Sequence, residues 1–447
     1  MTVRNKSLCT TEINHLYDDK IDGTVQELFQ RESGKIISML LRYFGLRHLP
    51  LVERLTHEAF LIARDQASVY GSPKYLSVWV WNNAKTMGAK VLMREKNLKF
   101  KKYEIMVEKE GEWSAPSFFV IENADDDSLK LLFACTRPDI PEKHRELLIL
   151  NLLCGLNIRE MKKAYAFGET VLAEELRVAR RTLADLEIPL EVLLGDELTD
   201  RVEAVSSALF SLFKRGFNSF IGEQSLRSVL CGNLVSLAEL LVGSPPCDVP
   251  AAHALLAYML FLASRLAALV GAKGEAPSLA EQDRSLWDRE LIKAGLTHLH
   301  KSAGGSYVSR YHLEAGIEAC HCVAKSYDVT DWKRIISLYD GYMAVNSSPL
   351  VALSRAAVVA KVYGPREGIG AINLIRNFRR IKSRPELHEI LGGMYLALGD
   401  FETALASFET ALGLSVAPWE RQLIERKIEL CKEGIGYGGS YDLEKAF

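Results

Sequence analysis

Several features are missing from this sequence, and each absence closes off a class of function. Its eight cysteines (Cys9, Cys135, Cys154, Cys231, Cys247, Cys320, Cys322 and Cys431) include no C-x-x-C pair. That argues against zinc ribbons and dithiol redox chemistry and suits reduced thiols in a cytoplasm. Cys320, His321 and Cys322 are adjacent, but on a helix positions two apart point about 200° from each other, so they do not converge on a metal. The opening MTVRNKSLCTTE lacks the apolar run of a secretory signal. The most apolar stretch, ALLAYMLFLASRLAALVG (254–271), is broken by Ser264 and Arg265, which predicts a buried helix rather than a membrane span. No nucleophile-base pair, phosphate loop or metal-ligand set occurs, so neither an enzyme nor a cofactor is expected. GPREGIG (364–370) is glycine-rich but has no Lys-Ser/Thr and reads as an inter-helix turn.

Sustained period-two alternation is absent too, whereas apolar residues recur at helical spacing nearly throughout, so an all-α protein is expected. With 447 residues, 48% apolar and 25% charged, the chain is long enough for two to four domains. A first helical block occupies residues 1–106. An acid-rich linker follows at 107–127, then a second block over 128–186, and a long helical tail over 187–447. The formal charge of −2 conceals a basic segment: residues 85–102 hold seven bases (Lys85, Lys90, Arg94, Lys96, Lys99, Lys101, Lys102) and one acid, Glu95. Such a run is usually a solvated face; beside Trp79 and Trp81 it favours nucleic acid modestly.

Within the tail, HEILGGMYLALGDFETALASFETAL (388–412) places Leu391, Gly392, Tyr395, Gly399, Phe401, Ala404, Phe408 and Ala411 at tetratricopeptide spacing. Small residues there let two antiparallel helices approach while aromatics fill the gap. One such repeat cannot bury its own apolar face, so neighbouring helices complete an array with a surface open to a protein partner.

Four segments together resemble the extracytoplasmic-function RNA polymerase sigma factors that carry a C-terminal tetratricopeptide-like extension. VERLTHEAFLIA (52–63) is similar to the polymerase-clamp helix, through Glu53, Leu55, Glu58, Ala59, Phe60 and Ala63. SPKYLSVWVWNNAKTMGAKVLMREK (72–96) is similar to the promoter-opening helix through Trp79, Ala84, Lys85, Leu92 and Arg94, with Lys90 where the family has Asp and Met93 in place of one Arg. Residues 125–161 keep Asp126, Leu131, Leu132, Phe133, Pro138, Arg145, Gly155, Leu156 and Glu160. LAEQDRSLWDRELIKAG (279–295) resembles the extension's signature through Gln282, Asp283, Arg284, Trp287, Asp288 and Arg289. Its four carboxylates have no nucleophile or His beside them, so a structural role is expected, with Asp283 capping a helix and Trp287, Leu291 and Gly295 sharing one face.

The resemblance implies core RNA polymerase, promoter DNA and a protein partner of the repeats as partners, with no membrane. It implies polymerase contact by Glu53, Leu55, Glu58 and Phe60. DNA contact would come from Trp79, Lys85, Lys90, Arg94 and Lys96 in the first block, and from Arg177, Arg180 and Arg181 on the second helix of a helix-turn-helix. On that helix Leu172, Leu176, Ala179 and Leu183 are expected to face inward. Glu174 and Glu175 stand where the family commonly has Gln and Arg, and two anions near phosphates oppose binding. Lys162, at a position where a small residue normally lets the helices pack, is expected to snorkel outward. A second reading therefore stands beside the first: a degenerate sigma-like scaffold that binds a protein through its array without promoter activity.

Overall fold

The computed structural model describes residues 23–70, 76–96, 124–165, 167–186, 197–218, 224–271, 277–305, 307–415 and 418–436. Every regular element among them is helical, as the periodicity predicts. By its contacts the chain divides into two compact units, Met1–Ala252 and His253–Phe447.

The first unit contains α1 (Gly23–Phe44), α2 (Leu49–Tyr70), α3 (Leu76–Lys96), α4 (Ala124–Cys135), α5 (Glu142–Leu148), α6 (Ile158–Ala164), α7 (Glu169–Asp185), α8 (Glu197–Asn218) and α9 (Gln224–Gly243). Helix α1 is its axis. Phe29, Ile36, Leu40 and Phe44 recur at helical spacing and are buried, with α2 and α4 packed along that face. The approach of α1 to the segment after α5 is set by two glycines. A Cβ on Gly34 would lie 2.4 Å from the Leu153 carbonyl oxygen, and one on Gly155 would lie 2.7 Å from Ser33 Oγ. Gly155 also has φ +67°, where side chains are strained.

Two boundaries differ from those expected. The acid-rich linker ends earlier, because Ala124–Asp127 opens α4; Asp127 is buried and pairs with Arg42 at 3.4 Å. Residues 107–123 lie outside the described residues. The tail does not separate at 187 either, since α8 and α9 belong to the first unit. Arg201 donates to the Phe133 carbonyl, Arg215 pairs with Glu146 at 3.2 Å, and Asn233 Nδ2 donates to the Gln30 carbonyl at 2.9 Å. These long-range bonds have no local signature in the sequence. Helix α9 is also long and apolar enough, by length and composition alone, to cross a bilayer, yet its Leu230, Cys231, Leu234 and Leu241 are buried within the unit.

The second unit takes up most of α10 (Pro250–Ala263) and continues through α11 (Arg289–Ser302), α12 (Arg310–Val323), α13 (Trp332–Val345), α14 (Pro349–Tyr363), α15 (Pro365–Asn373), α16 (Pro385–Ala397), α17 (Phe401–Leu414) and α18 (Pro418–Gly436). Successive helices pack on one another, most extensively α16 on α17. In that pair Gly392 lies against Phe408, where a Cβ would come within 2.8 Å of the ring, and Gly399 makes the turn at φ +75°. Asp400 accepts from the Thr403 amide at 3.1 Å and caps α17.

Three local expectations are corrected here. The apolar run 254–271 is not one helix: α10 stops at Ala263, where Ser264 Oγ donates to the Phe261 carbonyl and Arg265 pairs with Glu318 at 2.7 Å. GPREGIG is a turn only at Gly364, φ +111°; the rest is α15, with Gly368 packed on Ala360. Asp283 caps a short 3-10 turn through the Ser285 amide, while α11 is capped by Asp288 through the amides of Glu290 and Leu291. Trp287 is 2% exposed, and Ile292 and Gly295 are buried beside half-buried Leu291. The indole is flanked by the guanidinium groups of Arg284 at 4.4 Å and Arg265 at 5.6 Å. Arg284 Nη1 also donates to the carbonyls of His321 and Ala324, tying the signature segment to the end of α12. A structural staple is thus what the signature residues build.

His321 sits beside these two arginines, edge-on to Trp332 at 5.3 Å. Burial, reinforced by Arg265 and Arg284, holds its imidazole down at about 4. Between that value and the ordinary imidazole range the unfolded chain binds the proton that the folded one refuses. Stability is therefore lost as pH falls through this window. Thermal or urea unfolding compared at pH 7 and pH 4.5 is expected to show the wild type losing up to about 3 kcal/mol more than His321→Gln.

Candidate nucleic-acid interface

The chain reaches α6 and α7 through a distorted helix end. After α5 the residues Ile149–Leu153 form a π-turn, in which the Cys154 amide bonds to the Ile149 carbonyl at 3.0 Å. Gly155 then turns the chain, and Asn157 begins α6 with a capping box: its side chain accepts from the Glu160 amide, and Glu160 accepts from the Asn157 amide, both at 2.9 Å. Glu160 also accepts from Gln30 Nε2 at 2.7 Å, so the box is bolted to α1.

Tyr165 closes α6 and is anchored in turn. Its hydroxyl donates to Glu146 at 2.7 Å, and the Arg215 guanidinium stacks 4.4 Å from its ring. Burial, with the Glu146 charge, pushes the phenol far above its ordinary range, so it stays a donor. Helix α7 follows, with Leu172, Leu176, Ala179 and Leu183 buried as the spacing predicts. Lys162 does point outward, pairing with Glu169 across the turn at 3.3 Å.

The outward side of α7 is nearly self-neutralised. Glu174 accepts two bonds from Arg177, at 2.8 and 2.5 Å, and this bond holds the exposed carboxyl below its usual range. Arg181, 76% exposed, lies 3.6 Å from Asp185. Glu175 pairs with the neighbouring helix. It accepts from Lys143 at 2.8 Å and from His144 at 2.7 Å on α5, and those bonds depress its pKa.

Arg180 is the main departure from the expected DNA-facing set. It points inward, 12% exposed, and its Nη2 lies 2.7 Å from Glu53 Oε1 and 2.7 Å from Asn151 Oδ1. Glu53, expected on the polymerase side, is therefore the buried partner of Arg180. Burial pushes the Glu53 carboxyl above its ordinary range, and the Arg180 charge offsets part of that rise. Leu55 and Phe60 are 1% and 0% exposed, with the Phe60 ring edge-on to Phe29 at 5.1 Å, so both serve the core. Of the expected polymerase set Glu58 alone lies toward the surface, 3.8 Å from Arg54.

A signal for both errors was present. Arg180 lies four and eight residues after Leu176 and Leu172, on the apolar stripe, and Glu53 lies three and seven before Thr56 and Phe60. Asn151, Lys143 and His144 were missed because their roles depend on partners about thirty residues away.

In α3, Trp79 is half-buried and Trp81 buried. Lys85 lies over the rings of Trp81 at 4.3 Å and Tyr43 at 4.6 Å, and burial lowers its pKa. Lys90 is exposed. The side chains of Arg94 and Lys96, and the remainder of the basic segment, lie outside the described residues. Among the described residues no group of three or more His, Cys, Asp and Glu side chains is placed to hold a metal ion.

Comparison with known proteins adds a family and a relative. Residues 201–303 match a family described as a family of unknown function (DUF6596). That stretch runs from α8 into α11 and includes the Gln282–Arg289 signature. An uncharacterized protein of Rhizobium meliloti (strain 1021) is 27% identical over 362 residues, covering 80% of this chain and 84% of the relative. No solved structure matches the chain.

The buried pair is testable by a double-variant cycle. Arg180→Met alone leaves Glu53 uncompensated and is expected to cost about 3–5 kcal/mol in urea unfolding, while Glu53→Leu with Arg180→Met recovers most of that loss.

Proposed function

We propose that this chain is a cytoplasmic, sigma-factor-like transcription-initiation protein. In this reading the first block and the helix-turn-helix engage core RNA polymerase and promoter DNA, and the tetratricopeptide-like tail regulates them or recruits a protein. The observation that carries the reading is the order and build of the elements. A helical block bearing the Trp79–Lys85 segment precedes a capped α6, a short turn and an α7 whose apolar stripe faces inward. Such a pair presents the outer side of its second helix to a major groove. Arg177 and Arg181 are the cations left on that side, and Lys90 remains exposed on α3.

One observation favours the scaffold reading. Glu53 and Arg180, which would face different macromolecules in a working initiation factor, neutralise each other in the interior, and the outer side of α7 pairs its cations with its own acids. A scaffold needs neither DNA nor polymerase contact and would act through the helical array.

Transcription in vitro with core polymerase on a pooled library of promoter fragments separates the two. The sigma-like reading expects transcripts with defined starts that depend on the added protein, reduced at least tenfold by Arg177→Glu with Arg181→Glu. Silence from the folded protein, with the polymerase shown competent, would sink it and leave the scaffold reading.

A further inference from the structure

The second unit carries a cluster of cations that the reading above does not use. Between α15 and α16, residues 374–384 hold Arg376, Arg379, Arg380, Lys382 and Arg384, and no acid occurs from 368 through 385. All five are exposed. Some cations elsewhere in the same unit are matched: Arg355 with Asp340 at 2.6 Å, Lys427 with Glu389 at 2.6 Å, and Arg265 with Glu318. None of the loop's five has an acidic partner among the described residues.

The segment is also held in one shape. Ile381 is 1% exposed and packs with Leu353, Ile372 and Leu387, and Phe378 rests against the same cluster. Asn377 adopts a left-handed conformation, φ 59°, the only non-glycine residue with positive φ among the described residues. It starts a 3-10 turn in which Arg380 and Ile381 amides bond back to Asn377 and Phe378 at 2.9 and 3.0 Å. His388 hydrogen-bonds the Lys382 carbonyl at 2.8 Å. Five like charges are thus carried on one short structured loop whose Phe378 and Ile381 turn inward. A run of one sign like this attracts polyanions.

We infer that this loop is a binding site for the phosphodiester backbone of duplex DNA, independent of the helix-turn-helix. Four of the five cations are arginines, whose planar forks match phosphate oxygens. A rigid presentation spares the entropy of ordering the loop on binding. Leu374, 83% exposed, is the one strongly exposed apolar side chain in the segment, too little to insert into a lipid surface. Because the contacts are to phosphates, binding is independent of sequence and strongly salt-dependent.

The test compares the full-length protein with the combined variant Arg376→Gln, Arg379→Gln, Arg380→Gln, its fold checked by circular dichroism. Each is titrated into a labelled 30-bp duplex of arbitrary sequence between 50 and 200 mM NaCl. Each lost phosphate contact removes about 0.9 from the log–log salt slope. The variant is therefore expected to show a slope shallower by about 2–3 and an affinity at least tenfold weaker at 100 mM. The basic segment of the first block is common to both proteins, so the difference reports the loop alone. Equal affinity and slope would overturn the inference, as would absence of duplex binding by either protein. Loop-dependent binding to phosphatidylserine vesicles or to polyglutamate in preference to the duplex would also overturn it. None of these outcomes depends on whether the protein initiates transcription.

Discussion

The first unit depends on one buried charge pair, Glu53 with Arg180. An isolated carboxylate or guanidinium in that interior is strongly desolvated, so each residue's charge offsets the cost of burying the other. The pair joins α2 to α7, and Asn151 Oδ1 in the π-turn accepts from the guanidinium Nε and Nη2. Three segments distant in sequence are thereby fixed in a single orientation. Gly34 and Gly155 then allow α1 to close against the same junction.

That pair also marks how far the sequence can be read. Helices and their inward stripes were legible because they rest on contacts within one or two turns. Leu172, Leu176, Ala179 and Leu183 repeat at the helical period, whereas the caps Asp288 and Asp400 went unread and Asp283 was assigned to the wrong turn. Partners were not legible. A charged residue on an apolar stripe announces burial but does not name what neutralises it, and a family resemblance assigned Glu53 and Arg180 to separate ligands. Glu175 shows the same limit from the other side, since its partners Lys143 and His144 come from α5.

The division between units was hidden for a related reason. The tail was expected to begin at 187, yet α8 and α9 return to cover α4, α5 and α1 through Arg201, Arg215 and Asn233. By contrast, the segment around Trp287 makes the packing and capping contacts expected of a structural element. Its arginines spend their donors on backbone carbonyls and an indole face.

The hydrogen bonds of Gln30 impose an order on the making of the protein. Its side chain waits for Glu160, 130 residues later, and its carbonyl for Asn233, 203 residues later. At synthesis rates of about 5–20 residues per second, α1 leaves the ribosome roughly 10–40 s before its last partner exists. During that interval α1 packs on the elements already made, α2 to α4 and the Ile149–Leu153 turn, but lacks α9, so the N-terminal unit completes its core late and from its C-terminal side.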